Sequence, residues 1–471
     1  MENKVYVDTP HPEYNKYLPL WKSCEDSTAG EHEIHANGEK YLPKLTNEEA
    51  TDYRKRVNRT PFFNAIARTI QGLCGMVFRK PPIIELLPKT ETFSEDIDLI
   101  GSSLVSFSAA IVDEYLKLGR VGVLVDYPEQ SEESVLTMAD AEVRGLRPAL
   151  KKYGAEHIIN WKVGRINNKH QLTMVVLKES ADISTGEFEH KSEARYRVID
   201  LFEKRYRQRV FRKTDKGEDE QVGSDIFPAI NNAPFTYIPF KIIGGINPEP
   251  PPLMGLVDIN LHHYQVNADY HHGLHLSMPT LFVTGYRPIR EPGKPAPTIY
   301  VGGTAANILP DTGSDAFFAE VSSSFEGHRQ ALLDLKNEMA VLGARMLESQ
   351  KASVEASDTV ARRQNGEDSY LAEISQMISR DMKWLLDIFS QWAGDSGEIN
   401  FQFNRDFVPA GISAQDLTAL VGAWQSGAIS QATLFDNLQR GEIIDGKVTF
   451  DEEQERIAAA SPSFAPGNTE Q

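Results

Sequence analysis

Apolar residues recur at three- and four-residue steps between Phe325 and Glu348, where Leu332, Leu333, Leu335, Met339, Leu342, Met346 and Leu347 mark one amphipathic helix. At about 1.5 Å per residue this stretch is a rod of roughly 36 Å. A second run sets Leu371, Ile374, Met377, Ile378, Met382, Leu385, Leu386 and Phe389 on one face and stops at Trp392 and Gly394, a good C-terminal stop. Between the rods lies Ser349-Gln350-Lys351-Ala352-Ser353-Val354-Glu355, polar and free of Gly and Pro. The pattern therefore predicts two long helices joined by a segment that lacks ordinary turn chemistry.

The rest of the chain divides by period. Residues 12–27 carry Tyr14, Tyr17, Leu18, Leu20 and Trp21 on one side of a helix. Asn47, followed by two glutamates, is the expected N-cap of the next helix, which runs through YRKRVNRTPFFNAIARTIQGLCGMVFRKPP. Pro61 should break that helix at Thr60, and Pro81-Pro82 should end it. A helix over 104–118 leads through Gly119-Arg120 into a buried strand reaching Asp126. From 155 to 245 the period becomes two, in HIINWKV, HQLTMVVLKES, ARYRVIDLFEKRYRQRVFRK and FTYIPFKIIG, which predicts an antiparallel β subdomain. Pro248–Pro252 form a stiff linker before a helix over 253–277. Short strands at Leu281–Thr284, Thr298–Val301 and Phe317-Phe318 follow, separated by Gly and Pro turns. Past the second rod come a strand at Ile399–Phe403 and helices near 413–426 and 430–440, capped by Ser413 and Ser430. The last stretch, SPSFAPGNTEQ, is expected to be disordered.

Composition narrows the class. At 471 residues the chain exceeds what one core supports, so several subdomains are expected. Its 41% hydrophobic content is that of a folded protein, and no run of 18 apolar residues exists to span a bilayer. The N-terminal stretch has no apolar signal core, and Cys24 and Cys74 alone make neither a disulfide framework nor a metal knuckle. The net charge of −18 argues against a protein that grips nucleic acid by neutralising phosphates, though not against one that lets it slide past.

Candidate chemistry is sparse. In LHHYQVNADYHHGLH, His271 and His275 stand one helical turn apart with Asp269 near, a spacing able to chelate zinc. No His-Glu-x-x-His pattern supplies a general base, and polar helix–helix contacts are the plainer reading. Arg195, Arg197, Lys204, Arg205, Arg207, Arg209, Arg212 and Lys213 form the densest basic stretch; Arg205, Arg207 and Arg209 alternate and so share one strand face. That face suits either an acidic partner or plain solvation. Gly244-Gly245 and Gly302-Gly303 match no phosphate loop, and no GxSxG elbow is present. No cofactor and no enzymatic activity are expected.

Three stretches, read in order, carry a resemblance: YRKRVNRTPFFNAIARTIQGLCGMVFRKPP, PPLMGLVDINLHHYQVNADYHHGLH, and EMAVLGARMLES with the helix after Ser357. Together they resemble the portal proteins (head-to-tail connectors) of tailed bacteriophages, in a portal-like family catalogued as a domain of unknown function. The likeness covers most of residues 45–450. It implies an α+β portal fold, mainly helical, with a β-rich wing subdomain and a small α/β clip, assembled as a ring of usually twelve subunits at one capsid vertex.

Carried onto this chain, the resemblance implies a wing over 1–245, a first stem helix over 246–278, a clip over 279–320 and a second stem helix over 321–348. It then implies a tunnel loop over 349–358, a long wing helix over 359–394, a crown over 395–460 and a disordered tail over 461–471. Ser349, Gln350, Lys351, Ser353 and Glu355 would face DNA, and Arg345, Lys351, Arg362 and Arg363 could make sparse phosphate contacts. The implied partners are double-stranded DNA, the major capsid protein and a scaffold, the terminase large subunit, and neck, adaptor and tail proteins, with no membrane. The implied location is the virion, after assembly in the bacterial cytoplasm, with roles in DNA packaging and ejection. Two rival readings are an adaptor or minor capsid protein, and a metallohydrolase built on Asp269, His271 and His275.

Overall fold

The computed structural model describes residues 6–127, 145–166, 168–230, 233–277, 280–284, 315–319, 325–345, 369–405, 407, 420–421, 423–424, 428–440 and 448–460. The architecture mixes helix and sheet. Helix α1 (Pro12–Ala29) opens on His11, whose Nδ1 accepts the Glu13 N–H, and packs through Tyr17, Trp21 and Cys24. A short α2 (Glu31–Asn37) leads to α3 (Ala50–Arg59). Asn47 is not its cap. That residue sits at φ 64 in the left-handed region, and Glu49 holds the N-cap position. The neighbouring Glu48 instead reaches across the first turns to the Arg56 guanidinium, with Nε and Nη2 each 2.8 Å from its carboxylate. Both side chains are buried, and Arg56 holds the Glu48 carboxyl below the usual carboxylate range.

The chain breaks where Pro61 predicts: Thr60 is extended, and a new helix α4 (Ala65–Val77) starts under Asn64, whose side chain accepts the Ala67 N–H. Strand β1 (Ile83–Glu85) and the short α5 (Pro88–Thr92) precede α6 (Leu104–Leu118). Ser103 caps α6 at one end, and Gly119 at φ 70 closes the other, a left-handed turn that suits glycine. It delivers the chain into β2 (Val121–Asp126), buried along its whole length.

Strand β3 (Ala149–Gly154), not foreseen in the sequence, pairs antiparallel with β2. The β subdomain itself is a five-stranded antiparallel meander: β4 (Ile158–Ile166), β5 (Lys169–Asp182), β6 (Ser192–Phe202), β7 (Arg205–Lys213) and β8 (Asp219–Ile226). A two-residue bridge, β9 (Ala229–Ile230) with β10 (Ala233–Pro234), follows. The FTYIPFKIIG stretch does not join the meander. Its strand β11 (Phe240–Ile243) pairs with the other edge of β2, Phe240 opposite Leu124 and Ile243 opposite Val121. Local alternation marks a strand; only non-local pairing decides its sheet.

Helix α7 (Met254–Leu276) is followed by β12 (Thr280–Thr284) and β13 (Asp315–Ala319), an antiparallel pair, and then by α8 (Glu326–Arg345). Helix α9 (Tyr370–Ala393) starts under Ser369 and ends at Gly394. Its face of Leu371, Ile374, Ile378, Met382, Leu385, Leu386 and Phe389 is wholly buried and anchors the main core, against α4, α5, β2 and β11. Strand β14 (Asn400–Gln402) pairs antiparallel with β1. Helix α10 (Gln431–Arg440) begins after Ser430, which accepts the Thr433 N–H, and α11 (Phe450–Ala460) comes last. The expected strand at Thr298–Val301, the cap at Ser413 and the tail 461–471 lie outside the described residues. Among the described residues no helix is long and apolar enough to cross a membrane.

Candidate functional site: the α7–α8 hairpin

Helices α7 and α8 run antiparallel. Gly255, at the start of α7, faces Leu342 near the end of α8, while Gly273 faces the Phe325 ring just ahead of α8. A Cβ on Gly273 would lie 2.6 Å from Phe325 Cε1, so only glycine allows this approach. The β12–β13 pair closes the far end, with Thr280 opposite Ala319 and Thr284 opposite Asp315. Tyr270 and Phe325 meet edge-on there at 6.1 Å.

The base of the hairpin is bolted to the body by amides. The Pro61 break frees backbone groups between α3 and α4, and α7 satisfies them. Asn260 Oδ1 accepts the Ala65 N–H at 3.1 Å, and its Nδ2 donates to the Phe63 carbonyl at 2.9 Å. Two turns on, Asn267 Nδ2 donates to the Pro61 carbonyl at 2.9 Å. Gln265 Nε2 donates to the Tyr41 carbonyl at 3.0 Å. Both asparagines are buried, so each bond serves groups that have lost water. On the α8 side, Lys336 Nζ sits 4.9 Å over the Phe63 ring, and Met339 joins the main core.

His263 stands on the same stripe of α7. It is 2% exposed, packs 5.8 Å from Phe63, and neither ring nitrogen has a hydrogen-bond partner. Burial pushes its imidazole down to about 4, with Lys336 and His262 acting in the same direction. It is a neutral packing residue. Asp269 and His275 are exposed and His271 is half-buried. Among the described residues no three His, Cys, Asp or Glu side chains converge as a metal ligand set. Asp269, His271 and His275 are not brought together as a ligand set, and Asn260, His263 and Asn267 of α7 serve packing.

The candidate DNA-facing residues are placed unevenly. Arg345 is the last residue of α8. Ser349, Gln350, Lys351, Ser353, Glu355, Arg362 and Arg363 lie outside the described residues, as does the whole tunnel loop 349–358. The basic strand face holds the expected alternation, with Tyr206 and Gln208 buried and Arg205, Arg207 and Arg209 on the outer side. Most of the charges of this stretch are spent internally, exposed Arg205 excepted. Arg207 pairs with Asp200 at 2.8 Å and Asp225 at 2.9 Å, and Arg209 with Asp200 at 2.6 Å. Arg212 meets Glu220 at 2.9 Å, Arg197 meets Glu179 at 2.9 Å, and Lys213 meets Asp8 and Asp219 at 2.8 Å each. A face so neutralised offers little grip on phosphates.

Sequence reasoning missed the amide bolts. Their signal was present: asparagines at 260 and 267 sit two turns apart, on one stripe of a helix that otherwise packs.

Residues 252–393 match the model of DUF4055, a domain of unknown function. That span takes in α7, the β12–β13 pair, α8 and the whole of α9. No curated protein matches the chain. Two solved structures similar to it are a "Neck of empty GTA particle computed with C6 symmetry" and a "Neck of native GTA particle computed with C12 symmetry". The first is 14% identical over 80% of this chain and 90% of its own, with a TM-score of 0.41. The second is 13% identical over 79% and 89%, with a TM-score of 0.39.

Proposed function

We propose that this chain is a portal protein: a non-enzymatic subunit of a ring that lines a duplex-wide channel at one vertex of a phage-like capsid. The observation that carries the reading is the hairpin of α7 and α8. It is fastened to the body at its base by Asn260 and Asn267 and capped at its far end by β12–β13. It also exposes Leu274, Leu276, Leu333 and Val341, large apolar groups that a single chain leaves in water. Copies packed side by side would cover them. In this reading the hairpin is the stem, the β12–β13 region the clip, and the connection from α8 to α9 the tunnel loop.

The net charge of −18 fits a channel that must not brake a moving duplex, since tight phosphate contacts would each resist translocation. Capsid protein, terminase, and neck or tail proteins would be the partners. ATP hydrolysis would belong to the motor that docks at the clip. A head-to-tail interface closes into a ring only if its rotation divides the circle.

Purified protein imaged down the ring axis tests the proposal. Twelve copies of a 52.7 kDa chain give rings of about 0.6 MDa with an open centre. Compact single particles without an axial opening, at every concentration reached in mass photometry, would overturn it.

A further inference from the structure

A cleft of about 790 Å³ opens between α9, β11 and the start of β5. Its volume lies in the range of pockets that bury a small ligand or a short peptide segment. At one end the Tyr237 and Trp384 rings lie 6.1 Å apart. Lys241 Nζ approaches to 5.6 Å from the Trp384 ring and to 3.2 Å from Asp381, an aspartate buried in the middle of α9. The other end is different. Tyr115 and Tyr370 face it together with the exposed Glu249 and Glu373. Glu249 is close enough to both phenols, and Glu373 to that of Tyr370, to add to the rise that burial imposes on them. Among the described residues neither glutamate has a cation within ion-pair distance.

Aromatic faces beside unpaired carboxylates have a defined complement. A guanidinium is flat, weakly hydrated and always charged; it stacks on a ring while its edge donates to a carboxylate. An aliphatic group would leave both glutamates unanswered, and an anion would be repelled by them. At the opposite end Lys241 and Arg380, 3.2 and 3.5 Å from Asp381, already answer its charge, so the carboxylates with no cation in reach are those of the tyrosine end. Of this chain's densest basic stretch, Arg207 and Arg209 are held by Asp200 and Arg212 by Glu220, so a second copy would have to offer some other cation.

We propose that this cleft seats an extended, arginine-bearing segment of a different protein, its guanidinium stacked on the half-buried Tyr370 and paired with Glu249 and Glu373. The proposal stands without the ring reading, because the cleft is built within one chain.

Tetra-arginine peptide titrated into the full-length protein tests it, with Trp384 fluorescence as the local signal and tetra-glutamate as the control. A saturable change is expected with tetra-arginine alone, and Trp384→Phe should abolish the signal. In the double variant Glu249→Gln, Glu373→Gln the affinity should fall about tenfold, the scale of two partly desolvated cation contacts, with the melting temperature held. Asp451→Asn with Glu452→Gln on α11 removes equal charge far along the chain and should leave the affinity as it was. An equal loss in both double variants would reduce the effect to bulk charge and overturn the proposal. So would an absence of saturable change. Shielding of Trp384 from acrylamide that grows with protein concentration, before any peptide is added, would assign the cleft to a second copy and overturn it too.

Discussion

His263 shows how one side chain sets a pH limit on the hairpin. Its imidazole is held to about 4 in the fold, below the 6.5 it has when free, so the folded state refuses a proton that the unfolded chain accepts. Stability is therefore whole above pH 6.5 and is lost as the pH falls from there toward 4. At pH 4.5 the loss approaches about 2–3 kcal/mol, since the ring is buried and has no partner to share the charge. His263→Phe keeps an aromatic group beside Phe63 and removes the titration. Urea melts of the variant and the parent should agree at pH 7 and separate by that amount at pH 4.5. Parallel curves across the range would show that the imidazole titrates freely. The asparagine bolts act at the same scale. Asn260→Ala strips partners from the Ala65 N–H and the Phe63 carbonyl, and about 1–3 kcal/mol should go with it, as for other orphaned buried polar groups. Exposed Gln376→Ala on α9 serves as the reference, and equal melting of the two variants would mean that water replaces the amide.

Among the elements, α8 separates what spacing can tell from what it cannot. Its three- and four-residue pattern foretold the helix, and the buried positions prove to be Leu332 and Met339, while Leu335 is half-buried and Leu333 is 48% exposed. Periodicity marks an apolar stripe but not how much of it one chain covers. Met339→Asp should abolish folding or cost more than about 3 kcal/mol, because it puts an unpaired charge in the main core. Leu333→Asp should leave the melting temperature of the single chain within about 2 °C, as surface changes do, yet block ring formation. Rings of normal size from Leu333→Asp would show that this part of α8 does not face a neighbour. The same limit explains the strands. The meander was legible because β4 to β8 follow one another in the chain, each pairing with the next. Strand β3 was not, since Lys151-Lys152 breaks its apolar run and its order comes from β2. Nor was the sheet that β11 joins. The cleft gathers Tyr115, Tyr237, Glu249 and Tyr370 from four separate stretches, and no local pattern announces such a meeting.

At the scale of the whole molecule, charge and the connection from α8 to α9 bear on the portal reading proposed above. In that reading an acidic chain repeated around an axis would give a wall that DNA phosphates avoid, and any hold on the duplex would come from a few cations set against that background. On β7, Arg207, Arg209 and Arg212 are spent on Asp200, Asp225 and Glu220. The remaining candidates are Arg345 at the end of α8, with Lys351, Arg362 and Arg363 in the connection. Removing 350–356 separates assembly from transport, because the packing surfaces of α7, α8 and α9 described above lie outside that stretch. Rings should form with unchanged subunit number and melting temperature, while particles carrying the deletion should package less DNA or lose it after packaging. Lys351→Ala alone should weaken duplex retention and flatten its salt dependence by about one phosphate contact. If deleted rings package and hold DNA as the parent does, the connection is no part of a channel's grip, and the tunnel-loop assignment of the portal reading falls.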